Sequence, residues 1–405
     1  MTPGITKAVI LTAGEGTRMR PLTYTRPKGM LPVANKPILE HVVIEMQKSG
    51  IREFIFIVGF HAEQIIGYFG DGRKWGVNIR YQAQKEHLGT ADALRYAEGL
   101  INENFLMANG DAIIDHQDIT NLAGKTDNVL GVIQLQDVSS FGVIDVKEGK
   151  IVRICEKTQN PPSHLANAGL YLFTPEIFEF IKKTSKSKRG EYEITDSLQL
   201  MIDNGKPVSY HEIPAWLDFS YPWDLLSANE QIMAKLEPQN YGEVESNTVL
   251  KGSINIGKGT TIRSGSYIIG PVIIGQDCEI GPNCYIRPGT VIADNCHIGA
   301  AVEVKNSIVM SGSKIPHLSY VGDSIIGENC NLGAGTKIAN LRMDKRNISV
   351  GGIGTQRRKL GAIIGDNVET GINSSINVGT MIGNDTHIGP GVLVHGIIPP
   401  GSKIL

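Results

Sequence analysis

The chain has 405 residues, more than the roughly 250–300 at which a single hydrophobic core usually stops growing, so we expect two domains. Hydrophobic residues make up 41% and charged residues 20%, a composition that is typical of globular proteins and excludes a disordered chain. The formal net charge of −2 creates no field that would favour nucleic acid or a membrane, so neither is expected as a partner.

The first predicted element is a short apolar strand that enters a glycine-containing turn, at residues 7–14. This stretch is too short for a signal peptide or a membrane span, and no later apolar run is long enough, so we expect a cytoplasmic protein. An amphipathic helix that starts at residue 37 and ends at Gly50, a strand (54–60) and a short helix (62–69) follow. This βαβ alternation predicts an α/β Rossmann-like domain with a mainly parallel sheet and ligands at the carboxyl ends of its strands.

Cations accompany the glycine-rich turn that follows the first strand. Gly14 and Gly16, with Thr17 beside them, allow backbone N–H groups to approach a triphosphate. Arg18 and Lys28 would neutralise the charge that builds on a leaving pyrophosphate. The spacing excludes the dinucleotide fingerprint, which needs a third glycine, and the Walker loop, which needs a Gly-Lys-Ser/Thr sequence.

The second half of the chain follows a six-residue repeat. An apolar residue recurs at every sixth position from Ile256 to Val304, and the pattern resumes at Ile326 and again at Ile364. A period of six predicts a parallel β-helix, in which the apolar residue points inward and glycine tolerates the corner. The expected domains are therefore 1–235, a linker at 236–247, and a β-helix at 248–405.

The cysteines have a structural explanation in this repeat. Cys278, Cys284 and Cys296 each lie two residues before an inward isoleucine, where a small apolar side chain is needed. The five cysteines of the chain form no C-x-x-C pair, so neither a zinc site nor a disulfide framework is indicated.

Two breaks in the repeat are candidate functional segments, because loops that interrupt a solenoid often carry function. The first runs from Met310 to Ile326 and contains His317, which we expect to lie outside a repeat face. In the second, residues 340–361 replace about four hexads. This basic loop predicts an anion-binding role, although a solvated loop needs no ligand. Its charged residues are Arg342, Lys345, Arg346, Arg357, Arg358 and Lys359, with Asp344 as the single acid.

The glycine-rich turn and its cations resemble the signature of sugar-1-phosphate nucleotidylyltransferases, in particular the glucose-1-phosphate thymidylyltransferase and N-acetylglucosamine-1-phosphate uridylyltransferase families. The resemblance implies UTP or dTTP as substrate and the following contacts. The base would be read by Gln84, Gly89 and Thr90, the sugar phosphate held by Gly142, Glu156, Lys157, Asn167 and Gly169, and Mg²⁺ bound by Asp111 and Asp218.

Two carboxylates from separate strand ends suit Mg²⁺, which prefers hard oxygen ligands. The sugar phosphate oxygen would attack the α-phosphate in line and expel pyrophosphate, so no covalent intermediate is required. After the metal-binding Asp the family commonly has glycine and a small residue, whereas this chain has Phe219, Ser220 and Tyr221. We expect these side chains to reshape the sugar pocket, which leaves the identity of the sugar open.

The segments 287–289, 302–305, 314–323 and 331–335, with Asn340, resemble the acetyltransferase domain of the bifunctional bacterial uridylyltransferase, and more closely that of the archaeal bifunctional sugar-1-phosphate nucleotidylyltransferase/acetyltransferases. An imidazole, with its ordinary pKa of about 6.5, suits the removal of a proton from a glucosamine amine, and His317 is the expected general base. The resemblance also implies a left-handed coil, acetyl-CoA as co-substrate, and a homotrimer that binds CoA between neighbours. Arg287, Lys305 and Tyr320 would hold the sugar phosphate, and Asn331 and Asn340 would orient the amine and acetyl groups.

These features predict a bifunctional transferase of UDP-N-acetylglucosamine biosynthesis that acetylates glucosamine 1-phosphate before uridylyl transfer. The alternative is nucleotidyl transfer alone, giving a nucleotide-linked glucose or mannose, with the β-helix as a trimerisation or regulatory module. A third possibility, a regulator that binds sugar nucleotides without turnover, is disfavoured because Arg18, Lys28, Asp111 and Asp218 are all present. The sequence leaves open the base preference and the choice between glucosamine and galactosamine.

Overall fold

The computed structural model describes residues 4–156 and 160–405. The helices are α1 (Ile38–Lys48), α2 (Ala62–Phe69), α3 (Thr90–Arg95), α4 (His116–Ala123), α5 (Ile177–Ile181), α6 (Ile194–Asp203) and α7 (Asp224–Met233), with short 3₁₀ turns at Thr17–Met19, Lys28–Met30, Arg73–Trp75 and Glu98–Leu100. The strands before the β-helix are β1 (Lys7–Leu11), β2 (Pro32–Val33), β3 (Lys36–Pro37), β4 (Glu53–Val58), β5 (Asn78–Ala83), β6 (Phe105–Asn109), β7 (Ala112–Ile114), β8 (Asn128–Gln134), β9 (Gly142–Lys147), β10 (Lys150–Glu156), β11 (Leu165–Phe173), β12 (Val208–Glu212) and β13 (Trp216–Asp218).

Grouped by their internal contacts, the residues form two units. The first contains the described residues of 4–15, Arg26–Met30 and Pro37–Asp218. The second contains Gly16–Thr25, Leu31–Lys36 and Phe219–Leu405, so α7 and two short N-terminal segments belong with the β-helix.

The main sheet of the first unit has the strand order β10-β9-β11-β6-β1-β4-β5, and β8 pairs with β11 and β12. Strands β6, β1, β4 and β5 run parallel, as predicted. The expectation of a mainly parallel sheet is wrong for β8 to β11, where β11 runs antiparallel to β6, β8 and β9. A tight turn with positive φ at Glu148 and Gly149 joins β9 to β10, a geometry that favours an antiparallel hairpin.

The β-helix has three faces, in which each strand pairs in parallel with the strand one coil away. Face A consists of Gln239–Asn240, Ile254–Ile256, Val272–Ile274, Thr290–Ile292, Ile308–Val309, Ile325–Ile326, Ala362–Ile364, Thr380–Ile382 and Ile397–Ile398. Face B consists of Glu243–Val244, Thr261–Ile262, Glu279–Ile280, His297–Ala300, Lys314–His317, Asn331–Leu332, Glu369–Thr370, His387–Ile388 and Lys403–Ile404. Face C consists of Val249–Lys251, Tyr267–Ile269, Tyr285–Ile286, Glu303–Lys305, Tyr320–Gly322, Lys337–Ile338, Ser375–Ile376 and Leu393–Val394.

The inward positions of the hexad pattern form one continuous core. Ile256, Val304, Ile326 and Ile364 are each at most 2% exposed, and the other predicted inward residues belong to the same cluster. These stacked parallel sheets are consistent with a left-handed β-helix, and the predicted fold class is confirmed. Cys278, Cys284 and Cys296 are also buried in this core, and burial raises the pKa of the Cys284 thiol to about 11.

Face A is apolar on both sides. Its outward residues Val291, Ile308, Ile325 and Ile363 are at most 1% exposed, although they point away from the β-helix core. Part of this burial comes from helix α7, whose Asn229 is fully buried. Its Nδ2 donates to the carbonyl oxygen of Gly289 at 2.9 Å, and its Oδ1 accepts from the backbone N–H of Ala34 at the same distance. Helix α7 and the segment Leu31–Lys36 are therefore fastened to one another and to face A.

The break from Met310 to Ile326 is not irregular. The repeat shortens by one residue twice, between Val304 and Val309 and between Val321 and Ile326, and all four of these side chains are buried. The strand Lys314–His317 pairs with both neighbouring strands of face B. The prediction that His317 lies outside a repeat face is therefore wrong.

The basic loop also differs from its prediction, since it replaces no coil. Strand Ile325–Ile326 pairs directly with Ala362–Ile364, so residues 339–361 leave the β-helix at one corner and return between adjacent coils. Within the loop, Ser349–Val350 and Ile353–Gly354 form an antiparallel hairpin.

Across residues 4–156 and 160–405, no helix combines the length and the apolar composition needed to cross a bilayer.

Candidate active sites

The predicted metal ligand Asp111 emerges beside the glycine-rich turn. Leu11, at the end of β1, lies opposite Asn109 at the end of β6. The N–H of Gly110 donates to the carbonyl oxygen of Leu11 at 2.9 Å, and a Cβ on Gly110 would lie 2.7 Å from the side chain of Thr12. The close approach of these strand ends brings residues predicted to hold the nucleotide and the metal to one edge of the sheet.

The second predicted metal ligand reaches the same edge. Asp218 ends β13, which runs antiparallel to β7 and places Asp218 opposite Ala112, the residue after Asp111. The ammonium group of Lys28 lies 2.5 Å from Asp111 Oδ2. The Asp111 side chain is 36% exposed, so this pair of charges is accessible to a ligand.

The glycine-rich turn exposes the residues predicted to meet the nucleotide. Gly14, Thr17 and Arg18 are exposed, and Gly16 has φ of 64° where it precedes the 3₁₀ turn. This positive φ suits glycine, because an L-residue with a Cβ is strained there.

The bulky residues after Asp218 pack near Arg18 within the second unit. Phe219 is fully buried. The ring of Tyr221 stacks on Trp223 with centroids 4.8 Å apart, and the guanidinium carbon of Arg18 lies 5.8 Å from the Tyr221 centroid. An aromatic ring at this distance attracts a cation, so the Tyr221 ring helps to place the Arg18 guanidinium group.

The side-chain amide of Gln84, the predicted base-reading glutamine, is hydrogen-bonded to a buried carboxylate. Gln84 is 6% exposed, and its Nε2 donates to Asp92 Oδ2 at 2.9 Å. Asp92 is itself 2% exposed and accepts from Arg95 Nη2 at 2.9 Å. The carboxylate therefore fixes the amide of Gln84 in one orientation, which base recognition requires.

Gly89 and Thr90 connect this region to helix α6. Gly89 has φ of 106°, and a Cβ on it would lie 2.5 Å from the carbonyl oxygen of Tyr192. The hydroxyl of Thr90 accepts a hydrogen bond from the N–H of Ile194 at 3.0 Å, at the start of α6. Both residues thus have structural roles beside the predicted contact with the base.

The predicted sugar-contacting residues of β9, β10 and β11 come together. A Cβ on Gly142 would lie 2.8 Å from Glu156 Oε2 and 3.7 Å from Asn167 Cβ. Gly169 has φ of 71°, and a Cβ on it would lie 2.5 Å from Asn109 Nδ2, at the end of β6. This group therefore adjoins the strand end that leads to Asp111.

A β-bulge shapes this group. The register of β11 shifts between Asn167 and Tyr171, and Asn167 Nδ2 donates to the Tyr171 hydroxyl at 2.7 Å. Asn167 Oδ1 also accepts from the N–H of Gly169 at 2.9 Å, so both ends of the Asn167 amide are hydrogen-bonded within this irregular stretch. Lys157, also predicted to contact the sugar, lies outside the described residues.

On the β-helix, a buried carboxylate gathers three of the predicted acetyl-site residues. Asp323 is 2% exposed, and its Oδ2 lies 2.9 Å from Lys305 Nζ and 2.6 Å from Asn340 Nδ2. The same Nδ2 lies 3.1 Å from the hydroxyl of Tyr320. A buried carboxylate is stable only with such partners, so Asp323 fixes where they point.

Arg287 and Tyr320 extend this cluster along face C. Arg287 forms an ion pair with Glu303 at 2.8 Å, and its backbone N–H donates to Val304, the residue before Lys305. Burial raises the pKa of the Tyr320 phenol above its usual range, while the hydrogen bond from Asn340 acts in the opposite direction. Tyr320 is therefore a neutral hydroxyl that can donate to an anion.

His317 lies around the corner from this cluster. It ends the strand Lys314–His317 on face B, its side chain is exposed, and its carbonyl oxygen accepts from Ser319 Oγ at 2.8 Å, one residue before Tyr320. Asn331 pairs with Lys314 at the opposite end of that strand. The structure thus brings His317 next to the Tyr320 corner but leaves Asn331 about 10 Å along face B, at roughly 3.3 Å per residue.

The basic loop borders a cavity of about 720 Å³. Lys345, Arg358 and Lys359 are exposed at its rim, and Asp323 contributes to its wall, so the cavity adjoins the acetyl-site cluster. The complete lining consists of Glu230, Asn306, Asp323, Leu341, Lys345, Gln356, Arg357, Arg358 and Lys359.

Comparison with known protein families covers both halves of the chain. Residues 7–235 match the nucleotidyl transferase family, and residues 268–404 match the family described as the GMPPB C-terminal domain. The chain belongs to the nucleotidyl transferase family. The family assignment made from the glycine-rich turn and the ordered motifs is therefore confirmed.

Relatives of this nucleotidyl transferase extend over nearly its whole length. The bifunctional protein GlmU of Methanococcus maripaludis is 43% identical over 98% of this chain and 96% of its own, and that of Methanocaldococcus jannaschii is 42% identical over 96% and 94%. The bifunctional sugar-1-phosphate nucleotidylyltransferase/acetyltransferase of Sulfurisphaera tokodaii is 40% identical over 96% of this chain and 97% of its own.

Solved structures of similar proteins match its first half. A protein from Bacillus anthracis, assigned as a glucose-1-phosphate thymidylyltransferase, is 29% identical with a TM-score of 0.52, over 58% of this chain and 98% of that one. A UDP-glucose pyrophosphorylase in complex with UDP-glucose is 27% identical with a TM-score of 0.52, over 57% and 99%.

Two carboxylates of this nucleotidyl transferase were missed by the sequence reasoning. Asp92 holds Gln84, and Asp323 holds Lys305 and Asn340. A signal for Asp92 was its position two residues after Thr90, the last of the predicted base-reading residues. Asp323 follows Tyr320 by three residues and occupies a corner with φ of 50°, a conformation that Asp tolerates better than most residues.

Proposed function

We propose that this chain is a bifunctional enzyme that transfers an acetyl group from acetyl-CoA to glucosamine 1-phosphate and then a uridylyl group from UTP to the N-acetylated product. The observation that carries the proposal is the presence of two separate polar clusters on one chain. One surrounds Asp111 and Lys28 at a sheet edge, and the other surrounds Asp323 on the β-helix. Bifunctional relatives that span nearly the whole chain support the same conclusion.

At the first site, an oxygen of the sugar phosphate attacks the α-phosphorus, a new P–O bond forms, and the bond to the β-phosphate breaks to release pyrophosphate. Arg18 and Lys28 neutralise the charge that develops on the leaving group. Gln84, held by Asp92, reads the edge of the base. Glu156 and Asn167 bind hydroxyls of the sugar, so catalysis consists mainly of positioning.

Asp111 and Asp218 would hold Mg²⁺. The fit is good because both side chains offer hard carboxylate oxygens at the same end of the β7–β13 pair, Asp111 just before β7 and Asp218 at the end of β13, and the Asp111 side chain is accessible. When bound, the cation supplies charge neutralisation to the phosphate groups that meet there.

At the second site, the amine nitrogen attacks the thioester carbon, the N–C bond forms, and the C–S bond breaks to release CoA as its thiol. His317 accepts the proton that the amine loses, and this proton then passes to the departing thiolate. Lys305, Arg287 and the neutral hydroxyl of Tyr320 hold the sugar phosphate, while Asn340 orients the acceptor. Asn331 lies farther along face B, where it would contact an acetyl group or CoA that approaches from that side.

The domain limits 1–235, 236–247 and 248–405 belong to this proposal, as does a homotrimer with CoA bound between neighbouring β-helices. Strands Gln239–Asn240 and Glu243–Val244, within the proposed linker, already pair with the next coil.

The second candidate function is nucleotidyl transfer alone, with the β-helix as a trimerisation or regulatory module. The match of residues 268–404 to the GMPPB C-terminal domain favours this candidate, because that description includes no acetyl transfer. The polar cluster around Asp323 favours acetyl transfer, because a scaffold has no need for it.

The full chain, incubated with glucosamine 1-phosphate, acetyl-CoA, UTP and Mg²⁺, tests the proposal. We expect UDP-N-acetylglucosamine by mass spectrometry, with thiol and pyrophosphate released in equal amounts. Parallel reactions with dTTP and with galactosamine 1-phosphate define the base and the sugar. Pyrophosphate from N-acetylglucosamine 1-phosphate, without thiol release from glucosamine 1-phosphate, would establish the second candidate instead.

A further inference from the structure

A series of hydrogen bonds links the buried Asp323 to helix α7. The side-chain amide of Asn306 donates to Asp323 Oδ1 at 2.9 Å and to Glu230 Oε1 at 2.8 Å. Arg357 of the basic loop donates from Nη2 to the same Glu230 oxygen at 2.8 Å and from Nη1 to Ser227 Oγ at 2.7 Å. Glu230 therefore joins the loop, the helix and the corner that holds Asp323.

Arg357 differs from the other cations of the loop. Its side chain is only 16% exposed, whereas Arg358 and Lys359 lie at the surface. A guanidinium group is a rigid planar fork, so donation from two of its nitrogens to two residues of one helix fixes its orientation. Arg357 consequently fastens the basic loop to α7.

The fastened loop begins and ends at the acetyl-site cluster. Asn340 stands where the loop leaves face C, and its carbonyl oxygen accepts from the N–H of Leu360 at 3.1 Å, where the loop returns. The N–H of Gly361 donates to the carbonyl oxygen of Asp323 at 2.8 Å. A displacement of the loop would therefore move Asn340 and the surroundings of Asp323 together.

We propose that Glu230 and Arg357 are positioning residues for acetyl transfer. They hold the basic loop and the Asn306–Asp323 pair in place, and through Asp323 they orient Lys305 toward the sugar phosphate and Asn340 toward the acceptor. This inference rests on the proposed acetyl transfer and makes α7 a part of that site. Neither residue touches the reacting atoms, so both act through the side chains that do.

The test measures thiol release by the full chain at saturating acetyl-CoA over a range of glucosamine 1-phosphate concentrations. Glu230→Gln and Arg357→Ala should each lower kcat/KM by between about tenfold and a hundredfold, mainly through a higher KM, because misplaced binding groups weaken the hold on the phosphate. Glu237→Gln is the matched control, since Glu237 is an exposed glutamate just beyond the same helix, and it should behave as the wild type.

Two further variants separate positioning from a merely structural role. Arg357→Lys keeps the charge but loses the fork, so it should recover only part of the lost kcat/KM. The double variant Glu230→Gln/Arg357→Ala should have a kcat/KM no lower than that of the more impaired single variant, because both changes break the same connection. Pyrophosphate release from N-acetylglucosamine 1-phosphate should stay at the wild-type rate in every variant.

Equal kcat/KM values for Glu230→Gln and Glu237→Gln would overturn the inference, and so would fully multiplicative losses in the double variant. If Arg357→Ala fails to fold, the kcat/KM of the nearly isosteric Glu230→Gln, compared with that of Glu237→Gln, tests the positioning role. Absence of thiol release by the wild type would refute acetyl transfer itself and the inference with it. Thiol release by the wild type, together with wild-type kcat/KM values for Glu230→Gln and Arg357→Ala, would refute the positioning role and leave acetyl transfer intact.

Discussion

Individual residues at both sites are constrained more tightly than their motifs indicate. Gly89 and Gly169 have positive φ, and a Cβ on either would lie 2.5 Å from a neighbouring polar atom. Motif reading predicted that these glycines approach a ligand, whereas the atoms they meet in the fold belong to Tyr192 and Asn109. Such contacts arise between segments distant in the chain, so their positions could not be read from local spacing.

Gly89→Ala should therefore impair the first site strongly. Strain at φ of 106° and the clash with Tyr192 should cost about 1–3 kcal/mol of stability, and pyrophosphate release should fall at least tenfold as Gln84 and Thr90 move. Urea unfolding and a pyrophosphate assay measure the two effects. The control is Gly67→Ala in α2, where a Cβ meets open space and alanine should stabilise the helix by about 0.5–1 kcal/mol. A fully active Gly89→Ala enzyme would contradict the assigned geometry.

The raised pKa of Tyr320 predicts a pH effect with a definite sign. Above about pH 10 the unfolded chain loses the phenolic proton while the folded protein retains it, so the folded state binds more protons and stability falls as the pH rises. Tyr320→Phe should show a shallower loss of stability between about pH 9 and 11. Urea unfolding at several pH values measures the slope, and identical slopes for the two proteins would rule out a raised pKa of the partly buried Tyr320 phenol.

Among the elements, face A is the one whose burial the sequence predicted only on the inward side. The hexad period correctly identified the inward residues, but it did not indicate that the outward side of face A is also covered. A signal was available, because strands such as Val272–Ile274 and Ile308–Val309 have consecutive apolar residues, whereas those of face B alternate polar with apolar. Strands buried on both sides have continuous apolar runs. The covering helix α7 could not be placed because Asn229 bonds to residues far away in sequence.

Burial on both sides of face A predicts a contrast within one outward row. Ile325→Ala should cost about 2–5 kcal/mol, because Ile325 is fully buried and its truncation leaves a cavity. Ile397→Ala, at the end of the same row and 59% exposed, should cost less than about 1 kcal/mol. Chemical denaturation of both variants provides the comparison. Equal losses would show that α7 and the N-terminal segments do not cover this face.

The molecule as a whole assigns different chemistry to its two units. The first presents Asp111, Asp218 and Lys28 at a sheet edge, where phosphates are the expected ligands. The second presents His317 and the Asp323 cluster on a β-helix, where an amine and a thioester are expected. Apart from Asp323, the sequence predicted both sets of residues, because each set follows a local motif. It missed Asp92 and Asp323, whose motifs gave neither carboxylate a role, and it missed the helix cover and the fastened loop, which depend on contacts between distant segments.

Separate inactivation of the two reactions tests the account most directly. In Mg²⁺-containing buffer, Asp111→Asn should lower pyrophosphate release by about a hundredfold or more and leave thiol release unchanged. His317→Gln should lower thiol release from acetyl-CoA with glucosamine 1-phosphate by about 10²–10⁴-fold. It should leave pyrophosphate release with N-acetylglucosamine 1-phosphate unchanged. Undiminished pyrophosphate formation by Asp111→Asn, or loss of both reactions in either variant, would contradict two independent sites on one chain.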